Sequence, residues 1–355
     1  MNTPFWQGRR VFLTGHTGFK GSWLSIWLSQ LGAEVHGFAL DPITKPNLFD
    51  LCGIGKMITN TLGDIRNRAA LQDAMAKCCP DVVIHMAAQP LVRLSYAEPV
   101  DTFATNIMGT AHVLDSIRLV PGIRSVVIVT TDKCYENHES LNGYREDDPL
   151  GGYDPYSSSK AGAELVTNAY RSSFFNPENY AQHRVAIASA RAGNVIGGGD
   201  WSAERLIPDL VRALVASEPL KLRNPKSTRP WQHVLEPLAG YLLLAEKLFT
   251  DGPAFSGAWN FGPDMEDHIS VEDVIALLQA ELGTSVPVTI AKDPQAHETN
   301  MLRLDSSKAR AHLGWKPKLS VRNSLEWTAH WVRDYLNGAD MTDVTRRQIA
   351  DFRVK

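Results

Sequence analysis

No stretch of the 355-residue sequence approaches the run of about 20 apolar residues that a membrane-spanning helix needs. Nothing in it suggests a membrane as partner. Cysteine is scarce: Cys52, Cys78, Cys79 and Cys134 are the whole set, with no Cys-x-x-Cys pair. That spacing excludes a disulfide framework and a zinc ribbon. His85 and His233 stand without a ligand cluster, so no metal site is expected. Neither charge is in excess: 36 Lys and Arg meet 39 Asp and Glu, a net charge of -3. This leaves no electrostatic case for nucleic acid as partner, and an anionic ligand must be met by local basic residues. Met1 to Arg10 lack the apolar core of an export signal, which predicts a cytoplasmic protein with reduced thiols. Internal repeats and low-complexity tracts are also missing.

What is present in the first half is an alternation. Val11–Leu13, Glu34–Leu40, Lys56–Leu62, Asp81–Ala87, Ser125–Thr131 and Val185–Ala190 read as strands, separated by helical patterns. Near-continuous apolar strands between helices predict an α/β fold, a doubly wound parallel sheet covered on both faces. Ligands of such sheets sit at the carboxyl ends of the strands. After residue 190 the pattern loosens. Leu206–Ala216 and Leu235–Phe249 read as helices, Arg223–Trp231 as a loop and Ala258–Phe261 as a short strand. Ser270 caps a further helix to about Leu282. Thr342–Lys355, polar and basic, reads as a weakly ordered tail. The expected division is one domain of 1–190 plus about 235–261, and a smaller C-terminal α/β substrate-binding lobe of about 191–234 plus 262–355.

The turn Thr14-Gly15-His16-Thr17-Gly18-Phe19-Lys20-Gly21 lies between the first strand and the first helix. Glycines there let backbone N–H groups approach a pyrophosphate, with the helix dipole facing the anion. The Gly-x-x-Gly-x-x-Gly spacing is the Rossmann variant of short-chain dehydrogenases. Asp41 follows about 20 residues later, at the end of the second strand. A carboxylate there accepts from the adenosine ribose hydroxyls of NAD and repels the 2′-phosphate of NADP. Its alternative is a solvated turn residue before Pro42. The pair Asp64-Ile65 follows the next strand and is a candidate for the adenine edge.

Asp154 and Pro155 form a helix start that puts Tyr156 and Lys160 four residues apart on one face. A tyrosine with its ordinary pKa of about 10 is a poor base. A nearby ammonium and the positive ring of an oxidised nicotinamide favour tyrosinate. Thr130 and Thr131 end the strand before it, placed to hydrogen-bond a reacting hydroxyl. Asp132 and Lys133 follow directly, more acid and base than alcohol oxidation needs; a surface turn is the alternative. Arg93, Arg191 and Arg229 are candidates to meet phosphate oxygens, or else surface ion pairs.

Together with Gly15–Leu24, the segments His85–Arg93, Thr131–Asn137, Arg191–Trp201 and Arg229–Val234 resemble the nucleotide-sugar 4,6-dehydratases of the extended short-chain dehydrogenase/reductase group. The resemblance spans most of the chain, is nearest the branch that acts on CDP-D-glucose, and implies the following roles. Gly15, Thr17, Gly18, Phe19, Gly21, Asp41, Asp64, Ile65, Ala87, Ala88, Gln89, Asn106, Thr130, Tyr156 and Lys160 hold NAD. Asn106 also supports the helix of Tyr156. Gln89, Arg93, Asn194, Arg229, Trp231 and Asn260 hold a CDP-glucose-type nucleotide sugar. Thr131, Asp132, Lys133, Tyr156 and Lys160 do the chemistry: oxidation at C4, loss of water across C5 and C6, and hydride return to C6. The dTDP-glucose relatives carry Asp-Glu where this chain has Asp132-Lys133, so Lys133 has to serve as the base at C5. A homo-oligomer, a dimer or a dimer of dimers, is expected from the helices after Asp101 and Pro155.

Two other functions fit parts of this pattern. A nucleotide-sugar 4-epimerase needs Thr, Tyr, Lys and NAD but no elimination pair. A non-catalytic NAD-binding regulator would keep the glycine turn and lose Tyr156 or Lys160, and both are present.

Overall fold

The computed structural model describes residues 3–140, 142–291 and 301–355. Strands β1 (Arg10–Thr14), β2 (Glu34–Ala39), β3 (Thr59–Leu62), β4 (Val82–His85), β5 (Ser125–Val129) and β6 (Ala186–Ala192) enter one sheet. Further on come β7 (Asn194–Ile196), β8 (Leu220–Leu222), β9 (Thr228–His233), β10 (Gly257–Phe261), β11 (His268–Ser270) and β12 (Val288–Ile290). The longer helices are α1 (Phe19–Gln30), α2 (Arg68–Cys78), α3 (Gly109–Leu119), α4 (Pro155–Ser173), α5 (Leu206–Ala216), α6 (Leu235–Asp251), α7 (Val271–Leu282), α8 (Val321–Leu336) and α9 (Met341–Val354).

The main sheet has seven parallel strands in the order β3-β2-β1-β4-β5-β6-β10. The order reverses between β1 and β4, and a crevice opens there at the carboxyl ends of the strands. Alternation along each strand feeds two cores. Val11, Leu13, Val127 and Val129 join α1 and α6 on one face. Phe12, Val126 and Ile128 join α2 and α3 on the other. The doubly wound Rossmann fold expected from the sequence is therefore the one observed. After α6 the chain re-enters this sheet: β10 pairs with β6, Ala258 opposite Ser189 and Asn260 opposite Arg191. A separate core of Ile196, Leu210, Leu222, Trp231, Val274 and Leu325 lies under the sheets β11-β9-β7 and β12-β8.

Three local expectations need correction. The strand expected over Lys56–Leu62 is shorter, because Ile54–Lys56 forms a single 3₁₀ turn before β3. The loop expected at Arg223–Trp231 ends in the first four residues of β9, which is the middle strand of its sheet. Pro230, with Arg223, Lys226 and Arg229 around it, disguised it, since proline is rare in central strands. The tail expected at Thr342–Lys355 is helix α9. Asp340 caps it by accepting from the N–H groups of Thr342 and Asp343. Its Met341, Val344, Ile349 and Phe352 form a buried stripe, with the Phe352 ring 5.7 Å from Trp27 of α1.

Candidate active site

The glycine turn is built by close approach. A Cβ on Gly15, whose φ is +79°, would lie 2.7 Å from the backbone nitrogen of Ala87. One on Gly21 would lie 2.0 Å from the Gly15 carbonyl oxygen. Gly18 caps α1 without a side chain, so the first N–H groups of the helix are left for another acceptor. The Thr17 hydroxyl donates to the Leu40 carbonyl (2.8 Å), tying the turn to the end of β2. Asp41 is exposed beside it.

These groups border a cavity of about 1520 Å³ along the carboxyl edge of the sheet. Its wall includes Gly15, Thr17, Gly18, Phe19, Gly21, Asp41, Asp64, Ile65, Ala87 and Ala88 at one end. Thr130, Thr131, Asp132, Lys133, Tyr156 and Lys160 lie on it, as do Arg93, Asn194, Arg229 and Trp231. The Asp64 carboxylate is gripped by Arg66 at 2.7 Å, whose hydrogen bonds hold it below the usual carboxylate range.

Helix α4 starts with a capping box. Asp154 accepts from the Ser157 N–H (3.0 Å), and Pro155 takes the first helical position. Tyr156 and Lys160 then face the cavity one turn apart. Burial pushes the Tyr156 phenol up to about 12, against a hydrogen bond with Thr131 and the charge of Arg205. Burial brings Lys160 down to about 8, opposed by the Glu164 carboxylate. Its ammonium donates to the Val129 carbonyl at 3.4 Å. The Thr131 hydroxyl donates to Asp132 Oδ1 (3.0 Å), while Oδ2 is buried without a partner among the described residues. Burial raises Asp132 to about 6, against the charges of Lys133 and Arg229. The Lys133 ammonium lies 5.9 Å from the centre of the Tyr156 ring. A protonatable acid, an amine, a hydroxyl and a phenol thus converge on one stretch of wall.

Four expected contact residues lie off this wall. Asn106 is buried; its amide donates to Ser159 Oγ (2.8 Å) and to the Gln89 carbonyl (3.0 Å), and its oxygen accepts from the Gln89 N–H (2.8 Å). It links α4 to the turn after β4 from behind the cavity. The Gln89 amide is spent on both backbone groups of Leu91 and on Thr102. Asn260 is fully buried, accepting from the Tyr135 hydroxyl and donating to the Tyr144 and Asp305 carbonyls. Arg191, a candidate phosphate contact by sequence, is also buried, paired with Glu164 at 2.9 Å and with the Tyr135 hydroxyl at 2.7 Å. Arg93, on the cavity wall, is ion-paired with Glu204 at 3.0 Å.

His85 is a core histidine between the hydroxyls of Thr14 (2.7 Å) and Thr110 (3.2 Å), kept neutral by burial, which lowers it to about 3. The His233 ring lies edge-on to Trp23 and Trp327. No group of three His, Cys, Asp or Glu among the described residues is arranged to hold a metal. Sequence reading missed Lys20. It lines the cavity and donates to the Tyr241 hydroxyl (3.1 Å), and burial beside Lys160 and Arg205 lowers it to about 7. A lysine inside the glycine turn was the available signal.

The family model for GDP-mannose 4,6 dehydratase matches residues 12–328. The chain belongs to this family. A CDP-glucose 4,6-dehydratase of Salmonella typhimurium is 50% identical over 348 residues, 98% of this chain and 97% of that protein. A UDP-glucose 4-epimerase of Halalkalibacterium halodurans is 26% identical, over 92% of this chain and 97% of its own. Among solved structures, the dTDP-glucose 4,6-dehydratase DesIV double mutant of Streptomyces venezuelae, with NAD bound, superposes with a TM-score of 0.78. It is 25% identical, and the match covers 93% of this chain and 99% of that one. The resemblance read from the motifs is thus borne out along almost the whole chain.

Proposed function

We propose that this protein is an NAD-dependent dehydratase that converts CDP-D-glucose to CDP-4-keto-6-deoxy-D-glucose, a hydro-lyase of deoxysugar biosynthesis. The observation that carries this reading is the buried Asp132 carboxyl with Lys133 beside it, at the same wall as Tyr156 and Lys160. Alcohol oxidation and 4-epimerisation leave such a pair without a task; elimination of water needs both members. The choice of CDP is supported by the 50% identity to the Salmonella enzyme.

The residues present fit NAD. The uncapped start of α1 and the space above Gly18 suit a pyrophosphate, and the exposed Asp41 suits ribose hydroxyls. Asp64, Ile65, Ala87 and Ala88 line the same end. When bound, NAD supplies the hydride acceptor for C4 and the donor for C6. Tyr156, hydrogen-bonded by Thr131, takes the C4 hydroxyl proton. Lys133 in its neutral amine form takes the proton at C5, which the neighbouring C4 ketone has made acidic, so this step requires its ammonium to have lost a proton first. Asp132 gives its proton to the C6 hydroxyl, which leaves as water. Lys133 returns that proton to C5 when C6 is reduced, and the proton that Tyr156 took from the C4 hydroxyl offsets, through solvent, the one that Asp132 gave, so that both groups are reset. Arg93 and Arg229 supply positive charge for the diphosphate, and Asn194 and Trp231 lie on the same wall.

Incubation with CDP-, dTDP-, GDP- and UDP-glucose, read by mass spectrometry, should show loss of one water from the CDP sugar ahead of the others. A product of unchanged mass would identify an epimerase instead. Asp41→Ala should weaken NAD binding by about ten- to a hundredfold, the worth of a charged hydrogen bond of about 1.5–3 kcal/mol, and relax the preference over NADP. Titration calorimetry with both cofactors reads this; equal affinity of the unaltered protein for the two would count against Asp41.

The same reading includes a homodimer in the cytoplasm. Val100, Phe103, Met108, Leu119, Leu165 and Phe174 are exposed on the helices around α3 and α4, an apolar surface that a second copy would cover. Light scattering should then give twice 39.2 kDa or a multiple of that pair. No helix among the described residues is long and apolar enough to cross a membrane.

A further inference from the structure

We propose that Glu164, clamped by Arg191, is a positioning residue of this site: its carboxylate maintains the charge of Lys160 and anchors the strand end that carries Thr131, Asp132 and Lys133. The inference rests on the active-site reading above and assigns a role to a carboxylate that never reaches the cavity.

Glu164 is on α4, one turn beyond Lys160, so the two side chains share a helical face. It is buried, as is its partner Arg191 on β6. Both carboxylate oxygens accept hydrogen bonds. Oε1 accepts from the Thr130 hydroxyl at 2.5 Å. Oε2 accepts from the Ser189 hydroxyl at 2.7 Å and from Arg191 Nη2 at 2.9 Å. Arg191 is fixed in turn by the Tyr135 hydroxyl and the Glu146 carbonyl. The network therefore links α4, β5, β6 and the turn after β5. Thr130 looks inward to Glu164, while its neighbour Thr131 looks outward to Asp132 and Tyr156. One strand end is held from below and works above.

The charges around Lys160 explain why this matters. Tyr156 and Glu164 share its helix, Cys134 and Asp132 come from the turn after β5, His85 from β4 and Lys20 from α1. His85 is neutral, Lys20 is of the same sign, and burial holds the Cys134 thiol protonated. Glu164 is the carboxylate that opposes burial of the ammonium. Burial would protonate Glu164 itself, but the Arg191 charge and three side-chain donors keep it ionised. Arg191 thus acts on Lys160 through Glu164. A neutral Lys160 would no longer favour the phenolate of Tyr156.

Labelling lysine with ¹³C at Cε lets NMR follow the titration of Lys160 in the full chain, the resonance being assigned by its loss in Lys160→Met. Glu164→Gln keeps size and hydrogen bonding but removes the charge. Its Lys160 midpoint should fall by at least about one pH unit, the usual effect of losing a close opposite charge. Glu164→Asp, which keeps the charge, should shift it less. The alkaline loss of turnover should move down with the midpoint. An unmoved midpoint in folded Glu164→Gln overturns the proposal even if turnover drops, because lost packing slows a reaction without displacing a titration. If that variant does not fold, Glu164→Gln/Arg191→Met strands no buried charge, and the same drop is expected of it. The titration uses no sugar nucleotide, so its failure is separable from failure of the CDP-glucose reading, which appears only in the product mass.

Discussion

Tyr156→Phe should lower the rate of C4 oxidation by about 10²–10⁴-fold, the usual worth of a positioned general base. That range corresponds to about 3–5 kcal/mol of barrier. The substitution removes only the hydroxyl. The ring keeps its place, because α4 is fixed by its capping box and the Tyr156 N–H still donates to Ser95 Oγ at 3.1 Å. Sugar-nucleotide affinity should therefore change little while turnover collapses. The unliganded phenol is held up at about 12 by burial, so it works as a base only where positive charge lowers it. Stopped-flow absorbance of bound NADH in a single turnover measures the step. An undiminished rate in Tyr156→Phe would remove the tyrosine from this role.

Asp132→Asn should leave oxidation running and slow the loss of water by about 10²–10⁴-fold. Asparagine has the same shape and still accepts from Thr131, but it has no carboxyl proton to give. Bound NADH should accumulate, because hydride cannot return to C6 until the hydroxyl has left. The pH dependence carries the same signature. Burial raises Asp132 to about 6, so its protonated fraction falls about tenfold per unit above that value. The elimination step should slow as pH rises through this range, and Asp132→Asn should lose that dependence. Lys133→Met tests the partner. It should suppress exchange of the C5 hydrogen with solvent, followed by NMR in heavy water, with oxidation at C4 preserved. Exchange at the parental rate would leave Asp132 alone with the elimination and assign the C5 proton to another base.

The readable parts of the chain were those whose signal is local. The glycine turn, the apolar strands that flank it, and the Asp154-Pro155 start of α4 each declare themselves within a few residues. Backbone sterics, burial on both sheet faces and helix capping act over that same range. Tyr156 and Lys160 needed only the period of a helix to be placed together. The segments that misled carried mixed signals. Proline and arginine hid β9, and a charged surface hid the narrow buried stripe of α9.

The chain alone thus specified the sheet, the nucleotide turn and the helix that presents Tyr156. Which polar side chains face the cavity was beyond it, because that depends on partners far away in sequence. Arg191, Gln89 and Asn260 carry the same donors whether they meet a substrate or the protein. Folding brought Arg191 to Glu164, Gln89 to Thr102 and Asn260 to Tyr135, 27, 13 and 125 residues distant respectively. Buried donors must be satisfied, and the nearest acceptor in space, not in sequence, satisfies them. The same packing left Asp132 Oδ2 unpartnered among the described residues at the cavity wall and placed the Glu164 carboxylate behind Lys160. Tertiary structure thereby separated the residues that work on the cavity side from those that hold them there.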